Sequence, residues 1–299
     1  MFITAFKKYI QTLKVKEGKK VALHKYDTKY TPDGISKELS EKLLAESLAK
    51  LSMLQDKLYA HNKYSILIVL QAIDAAGKDG AVRHVMTGFN PQGVKVVSFK
   101  QPSHQELDHD YIWRHYTELP ARGDIAIFNR SHYENVLVTR VHPEYILGEN
   151  LPDVRTVKDI DAAFWNRRYK QINRFEKNIA ENGTIVLKFF LHLSKEEQKK
   201  RFIERIDDPK KNWKFSVDDL KERAHWDEYQ AAYEEMLSKT SKDEAPWFII
   251  PADNKWSARL AISEIILQEF ESLKIHYPAV SKAQKEELLK ARDMLMNEK

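Results

Sequence analysis

Apolar positions along the chain follow two rhythms that alternate. Short, nearly unbroken apolar runs lie at 65–70, 94–99, 124–129, 184–191 and 246–251, rich in Ile, Val, Leu and Phe. The first, 65–70, suits a strand buried on both faces of a parallel sheet, and the others read as further strands. Between them the period is helical. Over 35–62, Leu44, Leu48, Leu51 and Leu58 share one face with Lys and Glu opposite, and over 157–180 Phe164, Trp165, Ile172, Phe175 and Ile179 form a core stripe. A helix over 216–239 carries Trp226, Tyr229 and Tyr233, and helices over 256–275 and 281–296 close the chain. Ser103 with Glu106, Ser194 with Glu197 and Ser216 with Asp219 have the spacing of helix N-caps. The helix after Ser103 is expected to carry Tyr111, Ile112, Trp113 and Tyr116. Residues 1–34 show no clear period and read as an irregular arm packed over the domain or over another subunit. With no internal repeat, the alternation predicts one α/β domain over 1–299, a doubly wound parallel sheet of five strands flanked by helices.

The first run leads into the stretch that organises the chemistry, Y-S-I-L-I-V-L-Q-A-I-D-A-A-G-K-D-G-A-V-R-H-V-M at 64–86. A strand, a turn of small residues and a helix with lysine in its first turn make a phosphate site. Backbone N–H groups and the helix dipole favour an anion, and Lys78 adds a mobile charge. The strict pattern G-x-x-x-x-G-K-[ST] is met only in part. Gly77 and Lys78 fit, Ala72 replaces the first glycine, and Asp79 stands where a hydroxyl would be. Asp74 would repel phosphate unless a divalent cation sat between them, which makes it a candidate metal ligand. A solvated turn with Asp, Gly and Lys is the plainer explanation of the same residues.

The third run ends in N-R-S-H-Y-E at 129–134. Ligands of parallel α/β sheets bind outside the carboxyl ends of the strands, so Asn129, Arg130 and Glu134 share the crevice with the phosphate turn. Arg130 offers a planar fork of donors to phosphate oxygens. Beyond the fourth strand, 195–214 holds Lys195, Lys199, Lys200, Arg201, Arg205, Lys210, Lys211 and Lys214. A charged helix followed by a basic, proline-bearing loop has the layout of a nucleotide-kinase lid over 195–215, although a charge run is more commonly a solvated face.

Composition adds limits. With 42% hydrophobic and 31% charged residues the chain can bury a large core and remain soluble, and no run approaches the roughly 18 to 20 apolar residues of a membrane span. The start lacks the pattern of a signal peptide. The absence of cysteine excludes disulfides and thiolate metal sites and fits a cytoplasmic enzyme. A net charge of +5 is modest, and the basic clusters lack the interleaved aromatic platforms of a single-strand nucleic-acid binder. His109 and His115 read as polar surface, since no histidine pair has metal-ligand spacing on a shared helical face.

Together the segments I-D-A-A-G-K-D-G (73–80), F-N-R-S-H-Y-E (128–134), R-F-I-E-R-I-D-D-P-K-K-N-W-K (201–214) and A-P-W-F-I-I-P-A-D-N-K-W (245–256) resemble the family-2 polyphosphate kinases, most of all class III. The resemblance spans about 26–267. It implies a P-loop kinase core with a helical lid that transfers phosphoryl groups between inorganic polyphosphate and AMP or ADP, giving ADP or ATP. Magnesium is the implied cofactor, with manganese as a substitute, and the implied assembly is a homo-oligomer, a dimer or tetramer, with neither nucleic acid nor membrane as partner. Asp74, Lys78 and Arg130 carry over by position and Arg205 falls in the lid motif; with Glu134, the nearest carboxylate to the strand end, the first three are the expected catalytic residues, Asp74 and Glu134 as metal ligands. Ala75, Ala76, Gly77, Asp79, Gly80, Arg83, Arg140, Arg201, Arg205, Lys210, Lys211 and Lys214 join Lys78 and Arg130 as phosphate contacts. Asn129, His132 and Glu134 fall to the nucleotide. Some family members have Asp where this chain has Asn129, which places more weight on Asp74 and Glu134. An ATP-dependent nucleoside monophosphate kinase resembling thymidylate kinase shares this layout and is the alternative.

Overall fold

The computed structural model describes residues 2–298, apart from the side chains of 2–5 and 7. Its centre is β1, Ser65–Gln71, every residue of which is buried. β2 (Val94–Ser98), β3 (Ile125–Asn129), β4 (Thr184–His192) and β5 (Trp247–Pro251) complete a five-stranded sheet in the order β2-β3-β1-β4-β5. Every pairing is parallel. Strands flanked on both faces have no solvent side to make polar, which is why β1 and β3 are apolar runs rather than alternating ones.

The helices are α1 (Phe2–Leu13), α2 (Lys37–His61), α3 (Lys78–Val85), α4 (His104–Leu107), α5 (Trp113–Tyr116), α6 (Val138–Val141), α7 (Ala162–Glu181), α8 (Lys195–Asp207), α9 (Asp218–Ala224), α10 (Trp226–Thr240), α11 (Lys255–Ser272) and α12 (Lys282–Met296). One layer packs α11 against α2 and α3, and another packs α7 with α10. The leucine stripe of α2 points inward as expected. Leu51 and Leu58 are fully buried, and Leu44 and Leu48 pack beside them.

Four expectations change. The segment 1–34 is not wholly irregular, because α1 buries Phe6, Ile10 and Leu13 at helical spacing, a short period that the flanking lysines obscure. The helix after Ser103 stops after one capped turn, and α5 resumes beyond Asp110, whose carboxylate caps the N–H of Ile112 at 2.8 Å. α7 starts five residues later than its apolar stripe suggests, since Asp161 accepts from the Phe164 N–H and takes the cap. The helix expected over 216–239 is two helices broken at His225.

Behind β3 and β4 lies a closed polar group in the core. Lys188 donates to Glu176 Oε2 at 2.5 Å, to the Thr240 carbonyl at 2.7 Å and to Tyr133 Oη at 2.8 Å. Glu176 Oε1 accepts from Tyr133 Oη–H at 2.7 Å and from His132 Nε2–H at 3.1 Å. Burial alone pushes Glu176 up, but Lys188 and His132 outweigh it and hold the carboxyl below its ordinary value. An ion pair in this position stabilises only while both partners remain. Lys188→Met is therefore expected to cost ~3–5 kcal/mol in urea unfolding by stranding Glu176. A loss within the ~0.5 kcal/mol typical of surface substitutions would show that Glu176 finds water or a proton instead.

Candidate active site

The turn after β1 is built from strained and small residues. Ala75 has φ 63° and Gly77 has φ 106°. The first is a left-handed conformation held at a cost by its surroundings, and the second is one that only glycine adopts without strain. Gly77 caps α3, so Lys78 opens the helix as expected. Its ammonium folds back onto the Ala72 carbonyl at 2.6 Å. Burial pulls the Lys78 pKa below its ordinary value, and Asp74 opposes that shift.

The end of β3 meets this turn. Arg130, at φ 65°, gives its backbone N–H to the Leu70 carbonyl at 3.2 Å and its guanidinium to Asp74 Oδ1 at 3.1 Å. Asn129 donates to Asp79 Oδ1 at 2.7 Å, clamping the first turn of α3 to β3. Burial pushes the Glu134 carboxyl up, with Arg130 and Lys78 resisting. Asp219, in the first turn of α9, is raised by burial and then by the charge of Asp74. Among the described residues no group of three or more His, Asp or Glu side chains is arranged to hold a metal.

Three adjoining cavities open on these residues. The largest, a cleft of about 750 Å³, is lined by 74–81, by α8 and residues 211–214 and by the start of α11. Nine basic side chains line it against the four acids Asp74, Asp79, Glu204 and Asp219, so its potential favours a polyanion. Lys100, Arg205, Lys214, Lys255 and Arg259 face it and make no ion pair or side-chain hydrogen bond among the described residues. The second cavity, about 460 Å³, is walled by Phe99, Pro102, Leu107, Tyr111, Val138 and Tyr145, with Arg130 and Glu134 at its inner end. A third, about 180 Å³, shares Asp74, Arg130 and Asp219 with the first and Arg130 and Glu134 with the second.

The sequence-based set divides accordingly. Residues 74–80, Asn129, Arg130, Arg205, Lys211 and Lys214 line the cleft, and Glu134 faces the other two cavities. Several residues do not behave as expected. His132 is fully buried and bonded to Glu176, because the turn after Arg130 sends both His132 and Tyr133 into the core and leaves Ser131 and Glu134 on the cavity side. Arg140 pairs with Glu235 at 3.1 Å and lies over the Trp165 ring. Arg83 and Lys210 are exposed outside the cleft. His115 is not polar surface but a core side chain against Phe99.

Arg201 is the most informative departure. It is buried, and its guanidinium donates to Glu197, to the carbonyls of Ala75 and Ala76 and to those of Ala252 and Asp253, at 2.7–3.1 Å. No donor remains for phosphate. Conversely, Lys100, Lys255, Arg259 and Asp219 were not singled out. Lys100 and Lys255 follow the carboxyl ends of β2 and β5, so the crevice rule that selected Arg130 would have found them too.

Residues 34–278 match the family described as polyphosphate kinase 2 (PPK2). The chain belongs to the polyphosphate kinase 2 family. It is 50% identical over 283 residues to an ADP-polyphosphate phosphotransferase of Rhodopseudomonas palustris, covering 95% of this chain and 97% of that one. It is 44% identical to an AMP/ADP-polyphosphate phosphotransferase of Meiothermus ruber, covering 84% and 90%. The crystal structure of polyphosphate kinase 2 from Arthrobacter aurescens superposes with a TM-score of 0.84 at 40% identity, covering 94% of this chain and 96% of that one. The fold read from the alternation of strands and helices is thus that of the PPK2 family.

In this PPK2 chain Arg201 holds the phosphate turn instead of the phosphate. Arg201→Lys, which keeps the charge but cannot reach four carbonyls, is expected to lower stability by about 2–3 kcal/mol through unsatisfied buried groups. Urea unfolding measures this. A phosphate ligand would instead show unchanged unfolding and a raised Michaelis constant for polyphosphate.

Proposed function

We propose that the chain transfers a phosphoryl group between inorganic polyphosphate and AMP or ADP, with the polyphosphate in the basic cleft and the nucleotide in the adjoining apolar cavity. The observation that carries this reading is Arg130, the side chain common to the cleft, the cavity and the smaller cavity beside them. A guanidinium there reaches the transferring group from both sides. The cleft's unpaired cations come from the end of β2, from 205–214 and from the start of α11, and positive charge gathered from three elements favours a polymeric anionic donor over the ATP of a thymidylate-kinase-like enzyme.

Phosphoryl transfer asks the protein for alignment and for neutralisation of spread charge. Lys78 would exchange the Ala72 carbonyl for a phosphate oxygen, and Arg130 would bridge donor and acceptor phosphates. The apolar walls of the second cavity exclude water from the base and sugar, while Glu134 faces the acceptor phosphate. A magnesium ion fits the donor set as well. Such an ion keeps one or two carboxylates and completes its shell with phosphate and water, and Asp74 and Asp219 line both the cleft and the smaller cavity beside it, two carboxylates whose mutual repulsion a divalent cation would relieve. When bound it would offset the negative charge of the transferring group. A cytoplasmic setting and a homo-oligomer belong to the same reading. No helix among the described residues is long and apolar enough to cross a membrane.

With polyphosphate as sole donor, the protein is expected to convert ADP to ATP, and Lys78→Ala and Asp74→Asn each to reduce the rate by at least about 100-fold with unfolding unchanged. Near-normal turnover by either variant at saturating magnesium would remove the phosphate turn from the chemistry. Glu134→Asn tests the acceptor side. AMP must bring a lone phosphate forward to the donor, so its phosphorylation is expected to fall well beyond that of ADP. Equal losses would place Glu134 in the shared chemistry, and no loss would leave it a helix-end charge worth about 0.3–1 kcal/mol.

A further inference from the structure

Outside the reacting groups, a chain of polar contacts links the wall of the nucleotide cavity to the phosphate turn by way of the lid base. It begins at Tyr145, which lines that cavity and stacks on His142 with ring centroids 5.4 Å apart and 29° between planes. His142 Nε2 donates to Glu222 Oε2 at 3.1 Å. The same oxygen accepts from Tyr229 Oη–H at 2.6 Å. Burial, and then this contact, push the Tyr229 phenol up, so it keeps its proton and remains a donor.

Glu222 lies on α9, one turn after Asp219. The next residue, Arg223, donates to Gln198 Oε1 at 2.6 Å and to the Lys195 carbonyl at 2.9 Å, both on α8. Gln198 in turn gives its amide to the backbone carbonyl of Asp74 at 3.0 Å. α9 is short and buries no residue of its own. Without an apolar face to seat it, the placement of α9 depends on these polar ties.

We propose that Glu222, held between His142 and Tyr229, is a positioning residue that fixes α9 to the wall of the nucleotide cavity. Nucleotide binding against Tyr145 thereby orders α9 and brings Asp219 to the reacting centre. This rests on the placement of the nucleotide argued above. Two sites coupled through one element must each bias it, and the coupling disappears when the tie is cut. The carbonyl of a glutamine has two lone pairs and can take both donors, so Glu222→Gln should keep the tie and Glu222→Leu should lose it.

The test is amide hydrogen exchange with and without ADP, read at 102–114 in the nucleotide cavity and at 218–224 in α9, beside the rate with polyphosphate. In the wild type ADP is expected to protect both segments. In Glu222→Leu, and in His142→Leu, which cuts the tie from the other side, protection at 102–114 is expected to persist. Protection at 218–224 should vanish and kcat should fall ~10-fold, the cost of losing a modest coupling. Glu222→Gln should resemble the wild type in both readouts. Protection at 102–114 without 218–224 in the wild type, or α9 protection that survives both leucine variants, would overturn the tie. Absence of protection at both segments in the wild type would overturn the nucleotide placement itself. Equal losses in Glu222→Leu and Glu222→Gln would assign Glu222 a charge role and refute positioning by hydrogen bonds.

Discussion

The placement of one guanidinium sets the geometry of the phosphate turn. Arg201 sits where α8, the turn after β1 and the loop after β5 converge, and its donors tie all three together. In a trans peptide the carbonyl and the following N–H point in opposite directions. Holding the carbonyl of Ala76 toward Arg201 therefore turns the N–H of Gly77 away from that positive charge, leaving it for an anion. The same contacts keep Ala75 in its left-handed conformation, which an unrestrained chain would leave. α8 thus contributes a fixed inner face, with Gln198, Arg201 and Phe202 buried, while Arg205, Lys211 and Lys214 face the cleft.

Strain marks the same region. Among the described residues four non-glycine residues have positive φ, and Asn62 and Asn150 are helix C-caps, where asparagine is at ease. The other two, Ala75 and Arg130, belong to the two segments that meet at the cleft. Arg130 is held by the bond from its N–H to Leu70 at the end of the central strand. That left-handed residue interrupts β3, and the chain after it sends His132 and Tyr133 into the core while Glu134 reaches the cavities. The buried contacts of His132 and Tyr133 with Glu176 and Lys188 therefore anchor the segment that carries Arg130 and Glu134.

Much of the fold was legible because its signals are local. A strand covered on both faces must be apolar throughout, and the Ser103 and Ser194 caps act three residues away. The phosphate turn and the strand-end arginine were legible for the same reason, each being a short segment next to a readable strand. Helix starts were less so. Asp161 and Asp110 take over ends that the apolar stripe alone would place elsewhere. The fate of each basic residue was least legible, because it depends on partners far along the chain. Arg201 spends its donors on carbonyls about 125 residues earlier and 50 later, and Arg140 finds Glu235 across 95 positions. Nothing in the spacing of the 195–215 sequence separates Arg201 from Arg205.

This difference decides what the charge of the chain can do. A buried or paired guanidinium has already exchanged water for protein acceptors, and withdrawing it to meet a ligand would leave those acceptors unsatisfied. Arg201, Arg140 and Arg168 are of this kind, the last joined to Glu149 in the core. Lys100, Arg205, Lys214, Lys255 and Arg259 have no such commitment and face one cleft from β2, the lid and α11. Their mutual repulsion across that cleft is an energetic cost in the ligand-free protein, tolerable because water screens it. A bound polyanion would convert the repulsion into attraction, and on the function proposed above the acids Asp74 and Asp219 would lie at the end where it reacts. Affinity would then rest on the free cations and chemistry on the turn after β1, that is, on different side chains.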